Sequence, residues 1–155
     1  VYGLRSRTSG TYGAMFGVFL AQKLNNFPLT IVGNGKQKRD FLNVKDAVSA
    51  LMKSSKVKKN KLILNIGSGK CYSVNYIASL ICKKKRVKLP KRPGEPDITW
   101  SNIKKAKKIL NWSPTISIED GVNELMNNIN YWKKAPIWNK KNIQKATKDW
   151  FKYLS

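Results

Sequence analysis

Leu62-Ile63-Leu64-Asn65-Ile66-Gly67-Ser68-Gly69 is the stretch from which the fold can be read. Its first five residues are almost entirely aliphatic, and a glycine turn ends the run. A short segment apolar on both faces is what a strand inside a parallel sheet looks like, because helices cover such a sheet on each side. Both flanks supply helices. Val44–Ser54 places Val44, Ala47, Val48, Leu51 and Met52 on one helical face, with Asp46 in the first turn where a negative charge favours the helix dipole. Ser73 is a capping residue, and Val74, Ile77, Ala78 and Ile81 then recur at helical spacing in a helix running to about Lys84. Helix, strand, turn and helix in succession is an α/β pattern.

Farther out, Met15, Phe16, Phe19, Leu20 and Leu24 predict an amphipathic helix from about Gly13 to Asn25. Leu29-Thr30-Ile31-Val32 reads as a short strand before the turn Gly33-Asn34-Gly35, and Asp40–Val44 as extended chain. Lys56–Lys61 is a charged linker. Arg86–Leu89 is another short strand, and Ser101 is expected to cap a helix to Leu110. Ser117-x-x-Asp120 opens a helix to about Trp132 that Pro136 breaks, and Asn142–Leu154 is expected to be a last amphipathic helix. Tyr131, Trp132, Trp138, Trp150 and Phe151 sit on helical faces and are expected in the core. The other strands are short and interrupted by turns. Leu62–Ile66 therefore looks like part of a sheet whose remainder lies elsewhere.

At 155 residues, with 41% hydrophobic content and five tryptophans, the chain is one domain's worth of folded material. No apolar run approaches the roughly 18 residues a membrane helix needs. The first residues lack signal-peptide organisation and an initiating Met, so the expected setting is cytoplasmic, as a whole chain or a piece of one. The net charge of +23 raises nucleic acid as a partner. Against it, the positive charge is nearly all lysine, scattered from Lys53–Lys61 through Lys133–Lys145, and no nucleic-acid-binding motif accompanies it. The chain contains no histidine, which excludes Ser-His and Cys-His catalysis and His-based metal sites within it. Cys71 and Cys82 have no metal-ligand spacing and read as small buried hydrophobes.

Two loops carry the chemistry. Lys91-Arg92-Pro93-Gly94-Glu95-Pro96-Asp97 and Gly33-Asn34-Gly35-Lys36-Gln37-Lys38-Arg39-Asp40-Phe41 each set an arginine beside glycine and an acid. Two guanidinium forks match phosphate oxygens, and a carboxylate can accept from a ribose diol. That set suits a nucleoside diphosphate. The bland alternatives are an internal Arg39–Asp40 or Arg39–Asp46 pair, a surface turn at Arg92, and a turn acid at Glu95. Asp40 and Asp46 read as structural, a loop anchor and a helix-start charge. Gly67-Ser68-Gly69, with no following lysine, reads as a strand-to-helix turn and not as a phosphate cradle.

Five segments fall in one order that resembles the extended short-chain dehydrogenase/reductase family, the NAD-dependent nucleotide-sugar epimerases and dehydratases. Val1-Tyr2-Gly3-Leu4-Arg5 is similar to the segment after that family's catalytic helix, with Leu4 in place of proline. Gly33 to Phe41 with Val44-x-Asp46, then Leu64–Gly69 with Ser73-Val74, then Arg92–Asp97, then Leu110-Asn111-Trp112-Ser113-Pro114, match its later segments.

The resemblance implies an α/β fold: a C-terminal substrate-binding lobe plus one completing βα unit of a Rossmann-type enzyme. Residues 1–155 would then be a partial chain, with roughly 44–82 packing against a Rossmann domain supplied in cis or in trans. It implies that Arg39 and Arg92 contact the substrate diphosphate and that Glu95 accepts from the ribose hydroxyls. Arg5, Arg7 and Thr8 lie in a loop placed to line the sugar pocket, although Arg7-Thr8-Ser9-Gly10-Thr11 departs from the commoner family pattern. Nothing here resembles the family's cofactor loop or its Tyr-x-x-x-Lys, so no catalytic or cofactor-binding residue is assigned. NAD would belong to the complete enzyme, which the family allows to be a homodimer, and this stretch alone is expected to be inactive. The alternatives are a non-catalytic nucleotide-sugar-binding subunit of a split enzyme and a basic nucleic-acid-binding protein.

Overall fold

The computed structural model describes residues 1–6, 8, 15–83 and 86–154. The first helix, α1 (Met15–Leu24), buries Phe16, Phe19 and Leu20 as its spacing predicts; Gly13 and Ala14 lie outside the described residues. Strand β1 (Leu29–Val32) follows, and its Leu29 and Ile31 are buried. It pairs in parallel with β4 (Arg86–Leu89), Leu29 opposite Arg86 and Val32 opposite Leu89. A second small sheet is built on β2 (Lys38–Arg39), antiparallel to β3 (Tyr72–Ser73) and parallel to β5 (Ile98–Thr99).

Helix α2 (Val44–Ser54) is capped by Asn43, whose side chain accepts from the Lys45 amide, a cap the helical periodicity alone does not mark. Helix α3 (Val74–Ile81) is capped by Ser73 as expected and buries all four residues assigned to its inner face; it ends before Lys84, which lies outside the described residues. Helix α5 (Ile118–Asn127) has the expected Ser117 cap, with Asp120 donating its amide to the hydroxyl. Beyond it the chain tightens into a 3-10 turn, Ile129–Trp132.

Two clusters form the interior. The larger joins α1, β1, α3, α5 and Tyr2 around Phe19, Leu20, Ile77, Leu125 and Trp132. The smaller gathers Leu42, Ala50, Ala106, Leu110 and Trp112. Tyr2 enters beside Asn43 through backbone bonds to Leu42 and Val44, each 2.8 Å. Among the described residues no helix is long and apolar enough to cross a membrane.

Leu62–Ile66 is extended and has no ladder partner among the described residues. Its exposure alternates along the chain, as extended backbone does. Leu64 and Ile66 pack on the smaller cluster, while Ile63 is 82% exposed. On α2, Val44, Val48, Leu51 and Met52 face outward, and the buried positions are Asp46 and Ala50. Several expectations are corrected. Helix α4 (Lys104–Leu110) is not capped by Ser101; Asn102 Oδ1 accepts from the Lys104 amide instead. The single C-terminal helix is two, α6 (Lys140–Ala146) and α7 (Lys148–Leu154), parted at Thr147. Tyr131 is exposed, and Trp138, Trp150 and Phe151 are only half-buried; Trp132 alone of the five aromatics is core. Cys71 and Cys82 are half-buried, with no disulfide between them.

Candidate functional site

The short β2–β5 pairing assembles the site. The Lys38 amide donates to the Asp97 carbonyl at 2.7 Å and the Asp40 amide to the Thr99 carbonyl at 3.0 Å. That parallel ladder sets the Arg39 loop beside the Arg92 loop, two segments far apart in sequence. Asp40 then fixes the assembly from behind. Its carboxylate accepts from the amides of Ser68 at 2.6 Å, Gly69 at 3.1 Å and Ser101 at 3.2 Å. Three charge-assisted bonds from two other loops make it the anchor its sequence position suggests. Asp46 is more than a helix-start charge. It is 3% exposed and accepts from the amide and hydroxyl of Thr115 and the amide of Ile116 at 2.9–3.0 Å.

With both acids so committed, neither pairs with Arg39. Arg39 Nη2 lies 3.0 Å from Glu95 Oε1, and Nη1 donates to the Lys38 carbonyl at 2.9 Å. The pair joins two residues singled out for ligand binding and leaves both usable. A guanidinium carries five N–H donors and a carboxylate two oxygens, so each keeps capacity for a ligand. Both side chains are about four-fifths buried, their relative exposures being 21% and 22%.

On the Glu95 side of this pair opens a cleft of about 830 Å³, lined by Arg92, Glu95 and Gln37 among others; Arg39 itself is not among the residues that line it. Its floor is Val18, Phe19, Thr30, Val32 and Leu89, from α1, β1 and β4. Arg92 lies over the indole of Trp150, 5.4 Å from the ring centroid. A contact with the ring face spends no N–H donor on a hydrogen bond, so the guanidinium keeps donors for an anion. Gly94, at φ +68°, lets the loop turn between Arg92 and Glu95. Thr8 also lines the cleft, its carbonyl accepting from Trp138 Nε1. Arg5 is exposed in the turn after Tyr2 and is not among the cleft residues, and Arg7 lies outside the described residues.

Gln22, Gln37, Trp138 and Trp150 belong to the site or its walls without having been singled out. Gln22 is fully buried: Nε2 donates to Thr30 Oγ1 at 2.9 Å and to the Trp138 carbonyl at 2.6 Å, and Oε1 accepts from the Thr30 amide. An amide within the apolar run of α1 was the available signal. For Trp150 there was none, because its contact with Arg92 is long-range.

A family model described as GDP-mannose 4,6 dehydratase matches residues 14–125, well over half the chain. The chain belongs to this family. Its relatives agree, and they include nucleotide-sugar epimerases and dehydratases of the extended short-chain dehydrogenase/reductase type. The UDP-glucuronate 4-epimerase of Thermodesulfobacterium geofontis is 36% identical over 123 residues, which are 76% of this chain and 35% of that one. A dTDP-4-dehydro-6-deoxyglucose reductase of Escherichia coli is 32% identical over 133 residues, 83% of this chain and 42% of its own. The fold agrees with the crystal structure of a Thermotoga maritima UDP-glucose 4-epimerase with UDP-glucose: TM-score 0.76, 28% identity, covering 86% of this chain and 43% of that one. The chain thus spans less than half the length of these relatives.

One solved relative, the UDP-glucuronic acid 4-epimerase of Bacillus cereus, holds NAD. The glycine turn Gly67-Ser68-Gly69 does not fit the phosphates of that group. The amides of Ser68 and Gly69 both donate to Asp40, and a Cβ on Gly67 would lie 2.6 Å from the same carboxylate. A pyrophosphate placed there would face a negative charge, with the Ser68 and Gly69 amides already given to it.

Proposed function

We propose that this chain is the nucleotide-anchoring part of an NAD-dependent nucleotide-sugar epimerase or dehydratase. Arg92 and Arg39 take the diphosphate of the substrate, and Glu95 accepts from the ribose hydroxyls. Thr8 lies on the wall nearer the sugar. The observation that carries this reading is the β2–β5 ladder, which puts both arginine loops beside one cleft. Anchoring the nucleotide away from the reacting carbon is how such an enzyme converts remote binding into orientation of the sugar. NAD and the residues that move the proton belong to the Rossmann lobe of the complete enzyme.

The lobe's seat is the outward face of α2 with the unpaired Leu62–Ile66 beside it. Val48, Leu51, Met52 and Ile63 are all at least half exposed. An extended segment with neither edge paired is a template for strand addition.

The reading is tested by calorimetric titration with UDP, GDP, CDP and dTDP. At least one binds, and Arg92→Ala and Arg39→Ala each weaken it by about tenfold or more, the loss of one charge-assisted bond. Unchanged affinity in both variants refutes the assignment.

A further inference from the structure

The helix pair α6–α7 lies beyond residue 125, where the family match ends. Together with Trp138 just before it, the pair nevertheless forms one wall of the cleft, through Ile143, Thr147, Trp150 and Tyr153. Hydrogen bonds tie this wall to the body at both ends. At one, Gln22 donates to the Trp138 carbonyl and Trp138 Nε1 to the Thr8 carbonyl. At the other, Trp150 Nε1 donates to the Pro93 carbonyl at 2.9 Å. Trp150 therefore holds the Arg92 loop twice, by that bond and by its ring face under the guanidinium.

The other ties of this loop lie on its Glu95–Asp97 side, in the Arg39–Glu95 pair and the Lys38 amide on the Asp97 carbonyl, and not at Arg92 itself. Gly94 at its tip has open space where a Cβ would be, and the bond closing the turn, Glu95 amide to Arg92 carbonyl, is 3.4 Å long. An arginine on such a loop samples many rotamers, and ordering them on binding weakens affinity. A side chain that fixes both backbone and guanidinium beforehand removes that cost.

We infer that Trp150 is a positioning residue for diphosphate recognition, holding Arg92 in its binding orientation from a C-terminal helix outside the family match. The inference rests on the reading of the cleft as a nucleoside-diphosphate site. Trp150 contributes through Arg92 and does not replace it. The two residues therefore act as one unit, and removing both costs little more than removing Arg92.

The experiment is a double-mutant cycle on the full chain, titrated with UDP, GDP, CDP and dTDP. Trp150→Leu keeps apolar bulk but removes the ring face and the N–H, and is expected to raise Kd about five- to tenfold. Trp150→Phe keeps a ring face and should recover most of that loss. In an Arg92→Ala background, Trp150→Leu should change Kd by less than about twofold. Wild-type affinity in Trp150→Leu, or a full additional loss in the Arg92→Ala background, overturns the role of Trp150 and leaves the nucleotide reading standing. Failure of the wild-type chain to bind any of the four nucleotides overturns both.

Discussion

Asp46→Ala lowers the melting temperature by about 10 °C. The carboxylate is almost fully buried and holds the amides of Thr115 and Ile116 and the Thr115 hydroxyl. It ties the first turn of α2 to the segment that enters α5. Hydrogen bonds to a charged group are worth roughly 1.5–3 kcal/mol each, and losing the acceptor leaves two amides without a partner. A loss of at least about 3 kcal/mol follows, and a chain of this size drops roughly 2–4 °C per kcal/mol. Asp97→Ala is the control. Its pair with Lys91 is exposed on both sides, and such pairs contribute about 0–1 kcal/mol. Thermal melts followed by circular dichroism compare the two. Equal small shifts would mean that Asp46 is not the tie between α2 and α5.

The second large effect concerns α2. Joined to the Rossmann lobe, in cis or in trans, the chain gains on the order of 5 kcal/mol, from burying what remains exposed of Val48, Leu51, Met52 and Ile63. Leu51→Lys with Met52→Lys abolishes most of that gain. In the chain alone the same pair of substitutions changes stability by only about 0.5 kcal/mol, because these side chains already face solvent, at 68% and 62% exposure. Denaturant titration of both variants, with and without the lobe, separates the cases. Independent melting of chain and lobe, or equal losses in both settings, would place the docking surface elsewhere.

Local pattern was legible where local physics decides. Helices α1, α3 and α5 follow their apolar spacing, and the Ser73 and Ser117 caps satisfy orphan amides as those residue types do. Glycine, arginine and acid at close spacing single out the two candidate loops in the sequence. Their meeting is not legible there, since a two-residue ladder carries no periodicity of its own.

A helical face of valine, leucine and methionine says only that something covers it, and on α2 nothing in the described residues does. Leu62–Ile66 has strand composition and no neighbour to bond among the described residues. The misreadings share a cause, contacts across the fold. Ser101 gives its amide to Asp40 and leaves the start of α4 to Asn102, a choice made by a contact across the fold. The same holds at Trp150: helical spacing put it in a core, and a guanidinium from a remote loop drew it into the cleft wall.

The most direct measurement is a crystal structure of the chain with the nucleoside diphosphate that binds it most tightly. The account predicts diphosphate oxygens at hydrogen-bond distance, about 2.7–2.9 Å, from both Arg92 and Arg39. It also predicts ribose hydroxyls on Glu95 and Trp150 still beneath Arg92. A nucleotide held by surface lysines, with the cleft empty and the Arg39–Glu95 pair untouched by ligand, would contradict it.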